Sequence, residues 1–141
     1  MTAKLRALLF AFVVVSSAAP AFGETIEQFY RRMSAGVTED MLHPDGRFIV
    51  MAGDQAAVFS SDQLVAIQKE ANTLGVKTEV VSMNILATHE VADTVSVAAR
   101  LQLKQTLGGQ TKSLETVGQD LLLKKGDTYV VVFSLSRPVE K

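Results

Sequence analysis

The 141-residue sequence contains no cysteine, no tryptophan and only two histidines, His43 and His89. Without thiols there are no disulfides, so a chain of this size must be held by its apolar core, and 48% hydrophobic residues make that feasible. Two lone histidines at a spacing that matches no common motif offer no tetrahedral zinc set, and no metal is expected. An excess of positive charge is missing as well. Fourteen basic residues face fifteen acidic ones and no basic stripe runs along the chain, so nucleic acid is not expected as a partner. Nucleophile elbow, phosphate loop and dinucleotide fingerprint are all absent, and no cofactor is expected.

The chain opens with a pattern that has an address in it. Lys4 and Arg6 precede the apolar block Ala7–Val15; Ser16-Ser17-Ala18-Ala19 follows, then Pro20-Ala21-Phe22-Gly23. Small residues at Ala21 and Gly23 sit three and one positions before a cut, which is the layout of a secretory leader spanning residues 1–23, removed before Glu24. The uncharged run Ala7–Gly23 is 17 residues. That is short of the roughly 20 a spanning helix needs, and no basic cluster follows it. The expected product is secreted or periplasmic, free of the membrane after cleavage, with a single domain over residues 24–141.

Within that domain, Thr25 and Gln28 have capping-box spacing, and Ile26, Phe29, Tyr30, Met33 and Val37 recur at helical intervals. Gly36 ends or bends this helix. Thr38 can cap a short second one through Leu42, and Pro44 forces the chain out of it. Pro44-Asp45-Gly46 then reads as a turn into a strand over Arg47–Ala52, and Gly53-Asp54 as a second turn. Ser60 and Gln63 again have capping-box spacing. Leu64, Ile67, Ala71 and Leu74 form a seam that stops at Gly75, which predicts a helix over 61–74. Beyond it the pattern is all strand: 76–88, 93–107, 112–125 and 128–136. Val95, Val97, Ala99, Leu101 and Leu103 alternate with polar residues, and turns fall at Gly108-Gly109 and Gly126-Asp127. Helices followed by long antiparallel strands make an α+β domain. Such strands must curl over the helices to bury their apolar side, leaving an open-ended cone whose interior suits a small apolar or carbonyl-containing ligand. Phe29, Met33, Val50, Val97 and Leu101 are the expected lining.

In element order, in "LHPDGRFIV" and in "GQDLLLKKGDTYVVVFSLS", the chain resembles the nuclear transport factor 2-like superfamily, which includes ketosteroid isomerases and polyketide cyclases. The resemblance implies two to three N-terminal helices packed in a strongly curved antiparallel sheet. It also implies an isomerase-type site built from a carboxylate base, a tyrosine hydroxyl and a protonated aspartic acid. Tyr30 falls where the tyrosine would lie and Asp120 where the protonated acid would lie. The base position falls on Val50, which takes no proton; Asp54, four residues on, would need a register change to serve. Homodimerisation through the outer sheet face is a further implication, and Val117, Leu121 and Leu123 beside Val130 and Val132 supply an apolar parity for it.

Each of these residues has an ordinary account. Tyr30 sits between Phe29 and Met33 as a core tyrosine would. Asp120 shares its side with Thr116 and Gly118 and is either a solvent-facing aspartate or a buried acid. His43 suits a helix end and His89 a loop between strands, Asp45 and Gly46 suit a turn, and Arg100 a surface ion pair. The leading expectation is a small-molecule-binding domain, with a proton-transfer enzyme and a dimerising interaction module as alternatives.

Overall fold

In a computed structural model, residues 23–139 are described, and apart from Gly23 the expected leader lies outside them. The first helix, α1 (Ile26–Ala35), starts on the predicted capping box. The Gln28 N–H donates to Thr25 Oγ1 (3.1 Å) and the Thr25 N–H donates to Gln28 Oε1 (2.9 Å). Phe29 and Tyr30 form its buried face, and the chain leaves it at Gly36 in extended backbone. The expected second helix from Thr38 is only a 3₁₀ turn, Glu39–Met41. The Thr38 hydroxyl donates to the Asp40 carboxylate instead of capping the backbone.

Strand β1 runs Leu42–Ala52, straight through the expected turn at Pro44-Asp45-Gly46. The correction has a physical basis. Between Leu42 (opposite Val131) and Arg47 (opposite Phe133) the strand uses five steps against two on its neighbour, which is a large bulge. Proline is tolerated at a bulge because no ladder donor is missed there. The Asp45 N–H donates to His43 Nδ1 (3.1 Å) and Ser61 Oγ donates to the His43 carbonyl, so the loop is tied on both sides. Gly46 is needed for closeness: a Cβ there would meet the His43 carbonyl oxygen at 3.0 Å and the Phe48 ring at 3.0 and 3.1 Å.

Strand β2 (Gln55–Ser60) pairs with β1 around the Gly53-Asp54 turn and leads into α2 (Ser61–Leu74), with its own capping box at Ser60 and a left-handed Gly75 at its end. The α2 seam is only half covered, since Ile67 and Leu74 remain exposed. Then come β3 (Lys77–Val91), β4 (Thr94–Leu107), β5 (Gln110–Lys125) and β6 (Thr128–Pro138). His89 and Glu90, expected in a loop, belong to β3. The turn is shorter than predicted because Ala92 takes a left-handed conformation (φ 53°) and Glu90 reaches across the sheet to pair with Lys124.

The six strands form one open, curved sheet in the order β2-β1-β6-β5-β4-β3. It is antiparallel except where β6, the last strand, lies parallel to β1. A parallel pair needs a crossover, and α2 with β3–β5 supplies it. The core lies between α1 and the concave face, around Phe29, Tyr30, Met41, Leu42, Phe48, Val95, Val97, Leu122 and Val131.

Candidate functional site

Cross-strand register shows which side chains share the concave face. One row runs Phe48–Ser134–Asp120–Val97 across β1, β6, β5 and β4. The next row outward is Val50–Ser136–Gly118–Ala99, followed by Thr116 and Leu101 with Pro138. Phe48, Val97 and Ala99 belong to the core cluster, which fixes these rows as the inner face. Asp120 is thus an acid in the middle of an apolar row.

Tyr30, 3% exposed, comes down from α1 and its hydroxyl donates to Asp120 Oδ2. The Ser134 hydroxyl, directly opposite on β6, hydrogen-bonds the same carboxyl group. No basic side chain pairs with it among the described residues. Burial drives the Asp120 pKa up, and the hydrogen bonds from Ser134 and Tyr30 offset only part of that. The Tyr30 hydroxyl is also pushed up, by burial first and then by the neighbouring Asp120 charge. Near neutral pH the tyrosine keeps its proton. The site is a compact cluster of one carboxyl and two hydroxyls, set between apolar rows of the concave face.

The remaining expected residues divide. Phe29 and Val97 are fully enclosed, Met33 and Leu101 are half-buried against the core, and Val50 is 39% exposed on the outer concave row. Asp54 sits exposed in the β1–β2 turn, beyond the strand that carries Val50. It forms no hydrogen bond to the Tyr30–Asp120 pair among the described residues. Ser134 was missed by sequence reasoning. Its signal was present: Ser134 and Ser136 interrupt an otherwise apolar final strand at a spacing of two, placing both hydroxyls on one face. Gly118 was seen only as a neighbour of Asp120. In the fold its missing side chain lets β6 approach, since a Cβ there would lie 2.8 Å from the Leu135 carbonyl oxygen.

Two of the larger clefts among the described residues lie away from this pair. One of about 480 Å³ is on the convex face beside Leu86, Ala98, Val117 and Leu135, and one of about 590 Å³ is at the C-terminal ends of the two helices. His43 is a structural ligand of the β1 bulge, and Arg100 makes the expected surface pair with Glu115 (3.5 Å).

No protein-family model matches the chain, and no curated protein matches it in sequence. Solved structures do match. An NTF2-like protein of unknown function in nutrient uptake from Rhodospirillum rubrum superposes with a TM-score of 0.60 at 13% identity, over 83% of this chain and 100% of that one. A ketosteroid isomerase-like protein from Erwinia carotovora atroseptica gives 0.56 at 17% identity, over 92% and 96%. An NTF2-like protein with a cystatin-like fold from Novosphingobium aromaticivorans gives 0.52 at 12% identity, over 98% and 87%. Identities this low speak for architecture alone. With its helices cupped in an open, curved sheet, the chain has the cone-shaped nuclear transport factor 2-like fold.

Proposed function

We propose that this protein is an exported binder of small, largely apolar molecules that carry one carbonyl or hydroxyl oxygen, with that oxygen received at the Tyr30–Asp120 pair. The observation that carries the reading is a carboxyl group buried in an apolar row with two hydroxyl partners and no cation. Packing alone would be served as well by an apolar residue, because an unpaired buried acid costs stability. A carboxyl with a raised pKa can instead hold a proton and donate it to the Tyr30 oxygen, which leaves the Tyr30 O–H free to donate to a ligand carbonyl. The approach is along the outer concave row, where Gly118 contributes no side chain and Ser136 and Val50 are accessible.

Binding is favoured over proton-transfer catalysis. An isomerase needs a base near the ligand, and the position where the resemblance puts one holds Val50. Asp54 is out in a solvent-facing turn. The test is a ¹H–¹⁵N NMR titration with 2-cyclohexenone and 2-naphthol. Shifts centred on the Tyr30, Gly118, Asp120 and Ser134 amides, lost in Asp120→Leu, support the reading. Unperturbed spectra at millimolar probe overturn it.

A second reading, self-association through the convex face, is favoured by the apolar exposure there of Val58 (58%) and Leu86 (54%). Of the expected members, Val130 is already buried within the chain. Size-exclusion chromatography at two concentrations decides it: a monomer at both counts against the pairing.

A further inference from the structure

We infer that the fold carries a docking site for the α-ammonium group that leader removal creates at Glu24. The inference rests on cleavage between Gly23 and Glu24. Chain ends are ordinarily loose unless something ties them, and Glu24 is tied at both its backbone and its side chain. Its N–H donates to the Asp127 carbonyl (3.0 Å) in the β5–β6 turn. Its carboxylate takes two hydrogen bonds from Arg32, from Nε and Nη2, each 2.9 Å, and one from the Thr128 hydroxyl at 2.6 Å. Arg32 also donates to Thr128 (2.9 Å) and lies over the Phe29 ring, 5.5 Å from its centre. A residue placed to begin the mature chain therefore clasps α1 to the last hairpin.

The Asp127 side chain lies beside the bond to be cut. A Cβ placed on Gly23 would fall 2.9 Å from the Asp127 Cβ and 3.4 Å from its carboxyl carbon. Hydrolysis of the Gly23–Glu24 amide consumes one water, leaves a carboxylate on Gly23, and frees an amine on Glu24 that takes up a proton. One N–H of the ammonium keeps the Asp127 carbonyl bond, while the others face the Asp127 carboxylate. This is the capture of a chain-terminal amine by neighbouring oxygens. Charges around it are the Glu24 and Asp127 carboxylates, Arg32, which is held by Glu24, Asp40 beyond Arg32, and Lys125 beside Asp40; the neutral Tyr129 hydroxyl also feels the Glu24 charge. Without the ammonium three carboxylates face two cations, and the new charge evens the group. The uncleaved chain has an amide there, so the clasp is completed only after processing.

Among the described residues every helix and strand lies between Ile26 and Pro138, so chain beginning at Glu24 retains all of them. The experiment compares purified chain beginning at Glu24 with chain beginning at Ala21, by thermal unfolding from pH 6 to 11. The ammonium in the folded state holds its proton above the ordinary α-amino value of about 7.7–8.0. Its contribution is therefore full below that value and disappears as pH rises through the folded-state value. The expected result is a melting temperature about 3 °C higher for the Glu24 chain at pH 7. That difference should vanish at pH 11 and be absent in Asp127→Asn. Equal melting temperatures at pH 7, or a difference that survives pH 11 or Asp127→Asn, overturn the docking site. Mass spectrometry of the exported protein reads the cleavage separately, and a first residue other than Glu24 overturns the link to processing.

Discussion

Replacing Asp120 by asparagine isolates the one ionisation that the core makes expensive. Asparagine keeps the shape, accepts the Tyr30 hydrogen bond through its carbonyl and can donate to the Ser134 hydroxyl, yet it is neutral at every pH. Burial raises the Asp120 pKa in the folded chain. Below the unfolded value, about 3.9, the folded and unfolded chains both hold the proton and the acid adds no pH dependence. As pH rises from there to the folded value, the unfolded chain gives up its proton while the folded chain retains it. Stability then falls by about 1.4 kcal/mol per pH unit, and levels off once both forms are ionised. The stability of Asp120→Asn minus that of the parent should therefore climb in favour of asparagine at that slope, then flatten. The width of the climbing segment measures the shift directly. Urea unfolding followed by circular dichroism at half-unit steps from pH 3.5 to 8 would record it, provided the denaturant slopes of the two chains agree. A difference that stays flat, or one that moves in favour of aspartate as pH rises, would refute the reasoning, because it would mean that the carboxylate is well solvated or well compensated where it sits.

Other perturbations act on separate features. Tyr30→Phe removes a donor to a buried carboxyl and should cost about 1–3 kcal/mol at pH 7, with a smaller loss in the Asp120→Asn background, measured as a double-mutant cycle by urea unfolding. Gly118→Ala pushes a methyl against the Leu135 carbonyl, so β6 must shift. A loss of about 1–3 kcal/mol is expected, and the binding titration should weaken with it. Gly46→Ala crowds the Phe48 ring and the His43 carbonyl at the β1 bulge and should also cost about 1–3 kcal/mol in chemical denaturation. Ser60→Ala removes the α2 cap, should cost about 1 kcal/mol, and should leave the pH profile of the Asp120 comparison unchanged.

Most of the elements were legible because their signals are local. Both capping boxes and the Gly75 stop are spelled out within a few residues, and alternation from Val95 to Leu103 marks the buried face of β4. What was not legible depended on partners distant in sequence. The bulge at 42–47 looks like a turn until β6 lies beside it, and the parallel β1–β6 pair has no local mark at all. Tyr30 and Asp120 were nominated separately by resemblance. Their hydrogen bond, the Ser134 hydroxyl on the same carboxyl and the tight approach at Gly118 come from the register of β5 on β6, which no window of sequence displays.

That register has one more consequence. β6, the most C-terminal strand among the described residues, lies in the interior of the sheet, joining the β1–β2 hairpin to the three-strand meander. The two parts become one sheet only when it is in place, and contacts this far apart along the chain slow folding. Completion of the sheet therefore waits on a single strand at its middle.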